Sequence, residues 1–291
     1  MRNFMKASLV AASLACAAVA SGPCPAAGAS QSAGAPLVEF EMMTWPEVRE
    51  ALAAGKTTAL IYTGGVEQRG PQNVNGGHNL MAHAIVKAIA ERLGNAIAMP
   101  VLPLTPNNAS AELPGTIGLT NELLEQILER MVDQTVVTGF KNVVLMGDHG
   151  GGQGDGDKNV YRSVANKLND KYSPKGIHVF YCDQVYQPAN SAFEKILMDQ
   201  GIPHSTHAGV DDTSIMMYID KDGTYVRKNQ LPTAVGIPVG ADGRPDPNAA
   251  GPKNGIMGDA RRSSVKLGKQ AFDIKVDYAV KQIQTFIPPQ K

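Results

Sequence analysis

The residue that most clearly indicates chemistry is a histidine at the end of an apolar run. His149 follows the segment 142–148 and is followed directly by three glycines, 150–152. The run is typical of a buried strand, and in open α/β sheets ligands bind at the carboxyl ends of strands. Imidazole is both a common metal ligand and a proton carrier near neutral pH. A strand-to-helix turn would give the same pattern, so His149 indicates a site only together with two further polar groups.

The first of these groups lies in a loop rich in glycine and amide side chains. Glu67, Arg69 and His78 fall within residues 64–79, between a predicted strand and a predicted helix. A surface ion pair would explain Glu67 and Arg69, and such pairs contribute little to stability. His78 could simply cap the helix. Glycines beside a histidine also suit a site where the backbone and a ligand approach closely.

The second group contains His207 and, five residues later, Asp212. Asp212 could simply stabilise the start of a helix, where the helix dipole favours negative charge. One carboxylate and two or three imidazoles from different strand ends nevertheless make a plausible site for a divalent metal of the zinc class. Such a metal lowers the pKa of bound water and polarises a substrate carbonyl, and a nearby histidine can move protons.

Strands that alternate with helices are predicted to position these residues. Strands are predicted at 57–63, 96–104, 142–148 and 177–182, the second of them interrupted by Pro100 and Pro103. Helices are predicted at 79–93, 120–138, 160–168, 189–199, from 211 or 212 to 218, and at 262–286. This alternation favours a mainly parallel sheet covered by helices on both faces, within one domain over residues 36–291. The Gly/Pro-rich segment 231–258 is predicted to be a long surface connection, with a lid or an intersubunit loop as the alternatives.

Residues 1–35 are expected to lie outside this domain. Arg2 and Lys6 precede an apolar run at 7–20, and small residues follow it. This is the pattern of a bacterial secretory signal peptide with a flexible leader, and the run is shorter than the about 20 residues of an ordinary membrane span. We therefore expect an exported, periplasmic protein without stable membrane insertion. The formal net charge is zero, so no basic surplus indicates nucleic acid as a partner.

At the three polar groups the chain resembles the creatininase (creatinine amidohydrolase) family. Glu67-Gln68-Arg69-Gly70-Pro71 matches the first family motif, Glu-Gln-His-Gly-Pro, except at its third residue. Further family motifs are similar to the segments at 114–116, 147–151, 207–214 and 258–259, in family order. The resemblance implies a three-layer α/β/α sandwich, a homo-oligomer that is usually a hexamer, and hydrolysis of cyclic or linear amide bonds with two divalent metals, commonly zinc or manganese.

The resemblance also implies roles for individual residues. In the family, the Glu of the first motif and the His of the Gly-rich motif are metal ligands, and these positions match Glu67 and His149. A downstream Asp bridges the two metals. The His of the family's His-Ala-Gly motif lies near the reacting amide, and it matches His207.

Three positions depart from the family pattern. Arg69 replaces a histidine ligand, His78 falls on the bridging Asp, and Gly151 stands where creatininase itself has a carboxylate. Arginine cannot ligate a metal because it stays protonated and offers no lone pair. An imidazole bridges two ions poorly compared with a carboxylate. We therefore expect one ion, bound by Glu67, His78 and His149, with water or Asp212 at the fourth position.

The leading hypothesis is an exported, metal-dependent amidohydrolase that cleaves a cyclic or linear amide of a small molecule with metal-activated water. His207 or Asp212 is expected to carry the proton to the leaving nitrogen, and Arg69 to orient a substrate carboxylate or carbonyl. Zinc is expected before manganese, with one ion per site. The alternatives are a hydrolase of lactones or sugar-derived rings on the same scaffold, and a small-molecule binding protein that has lost catalysis.

Overall fold

The computed structural model describes residues 37–107, 113–240, 243–244 and 251–288. The predicted leader at 1–35 lies outside the described residues, so the export signal stays a prediction. The strands are β1 (Thr58–Thr63), β2 (Ala96–Ala98), β3 (Asn142–Gly147) and β4 (His178–Tyr181). The helices are α1 (Trp45–Ala53), α2 (Gly77–Leu93), α3 (Asn121–Thr138), α4 (Val160–Tyr172), α5 (Gln187–Asp199), α6 (Val210–Ile219) and α7 (Val265–Phe286). None of the described helices is long and apolar enough to cross a bilayer.

The four strands form one parallel sheet in the order β2-β1-β3-β4. In β1 every residue is buried, as expected for a strand covered on both faces. The pairing of β1 with β3 ends at Thr63 opposite Gly147. The chain therefore leaves both central strands at the same edge of the sheet, where the predicted site residues follow.

Helices cover both faces of the sheet. On one face Leu60 and Tyr62 of β1 belong to a core that also contains residues of α2, α5, α6 and α7. On the other face Ile61 packs with residues of α3 and α4. Successive strand residues point to opposite faces, so the two cores alternate along β1. This arrangement confirms the predicted three-layer α/β/α sandwich with a mainly parallel sheet.

Several element boundaries differ from the sequence prediction. The strand predicted at 96–104 ends at Ala98, because Pro100 and Pro103 follow and proline has no backbone N–H to donate to a neighbouring strand. The last helix begins at Val265 and not at residue 262, because the Ser264 side chain accepts the Leu267 N–H and caps it.

Two helix starts bring site residues to the edge of the sheet. Helix α2 begins at Gly77, two residues earlier than predicted, so His78 lies inside its first turn. Helix α6 begins at Val210, shortly after His207. The backbone N–H of Met257 donates to the carbonyl of His207 at 2.9 Å, so the far end of the 231–258 segment is fixed beside the site.

Candidate metal centre

Three predicted ligands converge beyond the ends of β1 and β3. Glu67 is 2% exposed. Its Oε1 lies 2.8 Å from His78 Nε2 and its Oε2 lies 3.1 Å from His149 Nε2. One ligand atom from each residue lies within 4.8 Å of the other two. Tetrahedral zinc with bonds of about 2.0–2.2 Å separates its ligands by roughly 3.3 Å, so these residues fit a zinc-sized ion after small side-chain movements.

His78 is oriented by a carboxylate behind it. Its Nδ1 lies 2.8 Å from Asp148 Oδ2, and Asp148 is 1% exposed. Burial opposes ionisation of Asp148, but the charge of Lys275 and the hydrogen bond from His78 hold its pKa well below the usual value. A carboxylate that accepts the second N–H of a ligating histidine fixes the ring and increases its basicity. Asp148 was not among the predicted site residues, although it immediately precedes His149.

His149 has a partner for its ring in either tautomer. When Nε2 binds a metal, Nδ1 carries the proton and can donate it to Thr105 Oγ1, 3.1 Å away. The Thr105 hydroxyl in turn donates to the carbonyl of Gly64 at 3.3 Å. In the other tautomer Nδ1 accepts the backbone N–H of Gly151 at 2.9 Å. As placed, Nδ1 accepts the Gly151 N–H, so binding of a metal at Nε2 requires the ring to turn from this donor toward Thr105, to which Nδ1 then donates.

Glu67 is ionised by its surroundings. Burial alone would raise its pKa, but hydrogen bonds with His149 and His78 and the nearby charges of His78 and Arg69 outweigh burial and lower the pKa. The Asn107 side-chain amide also donates to Glu67 Oε2 at 2.8 Å. Asn107 was missed in the sequence analysis, because it lies in a connection without a recognisable motif. A carboxylate held in its charged form is what a divalent ion requires.

Arg69 lies beneath the centre and not at a substrate-accessible surface. It is 0% exposed, with Nη2 2.6 Å from Asp212 Oδ1 and Nη1 3.4 Å from Glu67 Oε1. The expected contact of Arg69 with a substrate carboxylate or carbonyl does not agree with this burial. A buried guanidinium must be paired, and here it pairs two carboxylates of the site. Burial opposes ionisation of Asp212, but the charge of Arg69 lowers its pKa.

Position 151 has no room for a side chain. A Cβ atom on Gly151 would collide with the carbonyl oxygen of Pro106. The carboxylate that the family resemblance implies at this position is therefore excluded here by the path of the neighbouring backbone.

His207 approaches Oε1 of Glu67, whereas His149 contacts Oε2. The Nε2 of His207 lies 2.8 Å from the backbone carbonyl of Gln68 and 3.1 Å from the Gln68 side-chain nitrogen. When Nε2 donates to the carbonyl, which is the shorter contact, Nδ1 carries a lone pair 3.5 Å from Glu67 Oε1. Burial lowers the pKa of His207. The imidazole is therefore neutral near pH 7 and can accept a proton at Nδ1.

The turn that carries His207 is held in a strained backbone conformation. Ala208 has a φ of 54°, in the left-handed region that L-residues with a side chain rarely adopt. Asp212 Oδ2 accepts the Ala208 N–H at 2.9 Å, and the Gln72 amide donates to the Ala208 carbonyl at 2.7 Å. Asp212 thus connects Arg69 to this turn.

A cavity of about 410 Å³ opens onto these residues. Its polar wall contains the three candidate ligands together with His207 and Asp212. Asp211 also lines it, and burial together with the neighbouring charge of Asp212 raises the Asp211 pKa to about 7. A cavity of this size with convergent polar groups is typical of a small-molecule site.

Comparisons with known proteins agree with the fold and the motifs. The sequence model of the creatininase family, described as creatinine amidohydrolase, matches residues 41–283. The creatinine amidohydrolase of Pseudomonas putida is 24% identical over 264 residues, which cover 85% of this chain and 96% of that protein.

Solved structures show the same fold. A crystal structure of creatinine amidohydrolase (creatininase) is 21% identical with a TM-score of 0.68, covering 87% of this chain and 99% of that one. A manganese creatininase has a TM-score of 0.70 at 21% identity, covering 87% of this chain and all of its own. Because the family model matches most of the chain, the protein belongs to the creatininase family and is a hydrolase of carbon–nitrogen bonds other than peptide bonds.

Proposed function

We propose that this hydrolase uses one divalent metal ion, zinc before manganese, to cleave a cyclic or linear amide bond of a small molecule. The observation that carries the proposal is the set of ligand atoms on Glu67, His78 and His149, all within 4.8 Å of one another. When bound, such an ion lowers the pKa of water and polarises the substrate carbonyl. Two of the similar solved structures are a manganese creatininase and the Zn-Zn type of a creatininase mutant, which supports these two metals as candidates.

The residues around the ligands supply proton transfer. Neutral His207, with Nδ1 3.5 Å from Glu67 Oε1, takes a proton from the attacking water and passes it to the leaving nitrogen. Asp212 holds the His207 turn through the Ala208 N–H. Arg69 fixes Asp212 and Glu67 from below. The chain thereby keeps the base and the ligands in one rigid arrangement.

Two features support a single ion. The guanidinium of Arg69 lies between Glu67 and Asp212, and a fixed positive charge there opposes a second cation. A side chain at position 151 would collide with the carbonyl of Pro106, so that position cannot supply a carboxylate ligand.

Metal analysis is the first test. Protein purified without chelator and dialysed against zinc is expected to contain one zinc ion per chain, measured by inductively coupled plasma mass spectrometry. Glu67→Gln and His149→Ala are expected to lose that ion, whereas His83→Ala, an exposed histidine on the same helix as His78, keeps it. Full activity in excess chelator, or two tightly bound ions per chain, contradicts the proposal.

A substrate screen separates the proposed reaction from its alternatives. Lactams, linear amides and matched lactones are incubated with the zinc-loaded protein. Turnover of amides that is lost in His149→Ala supports the amidohydrolase. Turnover of lactones alone favours the ring hydrolase, and ligand binding without turnover, unchanged in His149→Ala, favours a binding protein.

Export and assembly belong to the same proposal. The charged and apolar pattern of residues 1–35 supports a cleaved signal peptide and a periplasmic location. Family membership supports a homo-oligomer, with a hexamer as the expected size. The intact mass of protein from the periplasmic fraction and light scattering of the purified protein test these two points.

A further inference from the structure

Lys275 of α7 is a buried ammonium group in the wall of the cavity. Its side chain is 7% exposed. Nζ lies 3.5 Å from Asp148 Oδ1 and 3.5 Å from the carbonyl of Val185, which is the outer limit of a hydrogen bond. An ammonium has three N–H donors, and a buried charge is costly unless it is well paired and hydrogen-bonded. These two long contacts leave much of its hydrogen-bonding capacity unused.

Tyr186 connects Lys275 to the loop that follows His149. Lys275 Nζ lies 5.6 Å from the centre of the Tyr186 ring. At the other end of the same side chain, the Tyr186 hydroxyl lies so close to Gly150 that an added Cβ there would be 2.9 Å from it. One tyrosine side chain therefore spans the distance from Lys275 to the Gly-rich loop. A small molecule in this cavity can contact both.

Part of the cavity wall is apolar. Met81, Phe193, Ile215 and Ala271 line the cavity, and Ala271 lies one helical turn before Lys275 on α7. Lys275 is the one lysine or arginine that lines this cavity in the described part of the chain. The rest of the polar wall carries the carboxylates of Glu67, Asp148, Asp211 and Asp212. A substrate anion is therefore expected to bind at this one lysine, with the apolar part of the wall suited to a small ring or a short carbon chain.

We propose that Lys275 binds a carboxylate of the substrate, so that the substrate is a small lactam or linear amide carrying an anionic group close to the bond that is cleaved. This assignment rests on the proposed function for the position of the scissile bond. A charge-assisted hydrogen bond from the ammonium to the carboxylate supplies the contacts that Asp148 and Val185 give only at 3.5 Å. The apolar wall then contacts the body of the substrate.

Two matched ligand pairs test the assignment. Pyroglutamate and pyrrolidinone share one lactam ring, and dihydroorotate and dihydrouracil share another; the first member of each pair carries a carboxylate. Binding to the zinc-loaded protein is measured by calorimetry, and hydrolysis by chromatography. The variants are Lys275→Met, Lys275→Arg and, as a control of equal charge change, Lys269→Met, whose side chain is 59% exposed on the same helix.

The wild type is expected to bind at least one carboxylated member at least tenfold more tightly than its uncharged partner. Lys275→Met removes that preference without lowering the affinity for the uncharged ligand. Lys275→Arg retains part of the preference, and Lys269→Met leaves the preference unchanged. Equal affinity within both pairs, no binding of either carboxylated ligand, or a preference that survives in Lys275→Met overturns the assignment. A Lys275→Met variant that loses zinc and both kinds of ligand together also overturns it, because Lys275 then only neutralises Asp148. Zinc content of the wild type, measured in parallel, tests the proposed function separately.

Discussion

Replacing Arg69 with methionine tests whether its guanidinium holds the centre together. Arg69 is fully buried and contacts Asp212 at 2.6 Å and Glu67 at 3.4 Å. Arg69→Met fills much of the same space but leaves two buried carboxylates without their shared cation. Removing one partner of a buried ion pair costs about 3–5 kcal/mol. A domain of about 150–250 residues loses about 2–4 °C in Tm per kcal/mol, so we expect Tm to fall by roughly 6–20 °C.

The assay is urea and thermal unfolding of chelator-treated protein, so that bound metal does not contribute to stability. The control is Lys269→Met, which breaks an exposed pair with Asp273 and is expected to leave stability nearly unchanged, because exposed ion pairs contribute little. Asp212→Asn and the double variant complete a thermodynamic cycle with Arg69→Met. The double variant is expected to be more stable than the sum of the single effects predicts, by about 0.5–3 kcal/mol.

The reasoning on Arg69 is refuted by either of two results. Arg69→Met could cost no more than the Lys269→Met control, which would mean that the guanidinium is as weakly coupled as a surface charge. The effects of Arg69→Met and Asp212→Asn could also add without any coupling energy, and the 2.6 Å contact between them would then contribute nothing to stability.

Three further predictions concern the metal site. Asp148→Asn is expected to lower zinc affinity about 10–100-fold, measured by competition with a chromogenic chelator. The zinc affinity is also expected to decrease as the pH is lowered. Burial and the charge of Arg69 oppose protonation of His78, but its hydrogen bonds to carboxylates outweigh both and raise its pKa. Zinc must therefore displace a proton from His78. Calorimetry in two buffers detects the release, and a constant affinity from neutral to acidic pH contradicts it. Gly151→Ala, whose Cβ would meet a carbonyl oxygen, is expected to lower both Tm and zinc affinity, whereas Gly76→Ala, with nothing within 4 Å of its Cβ, serves as the control.

The sheet was predictable where strands are continuous and apolar. The segments predicted at 57–63 and 142–148 became β1 and β3 within one residue at each end, because parallel strands buried on both faces need uninterrupted apolar residues. The strand predicted at 96–104 failed after Ala98. Pro100 and Pro103 indicate an interruption, and the strand stops before both of them because proline lacks the N–H donor that a ladder requires.

The site was predictable only where the backbone topology alone determines the position of a residue. Glu67, His78 and His149 could be found because each lies directly after a strand or at a helix start, where backbone topology determines position. Lys275 was missed because it belongs to α7 and meets Asp148 across 127 residues of sequence. Sequence also identified Arg69 as a cation but not its burial, which depends on how the loop after β1 packs against α6.

The departures from the family pattern support a single ion when their charges are considered together. Arg69 in place of histidine, His78 in place of aspartate and Gly151 in place of a carboxylate each make the centre more positive by one unit. The family's Gly-rich motif is Asn-Gly-His-Gly-Gly, and Asp148 matches the glycine before its histidine. This fourth departure makes the centre more negative by one. The net change of two positive units equals the charge of one divalent ion. Uncompensated charge is costly in a buried site. With these four residues, a centre with two divalent ions would carry two more positive charges than the family pattern, and a centre with one ion avoids this excess.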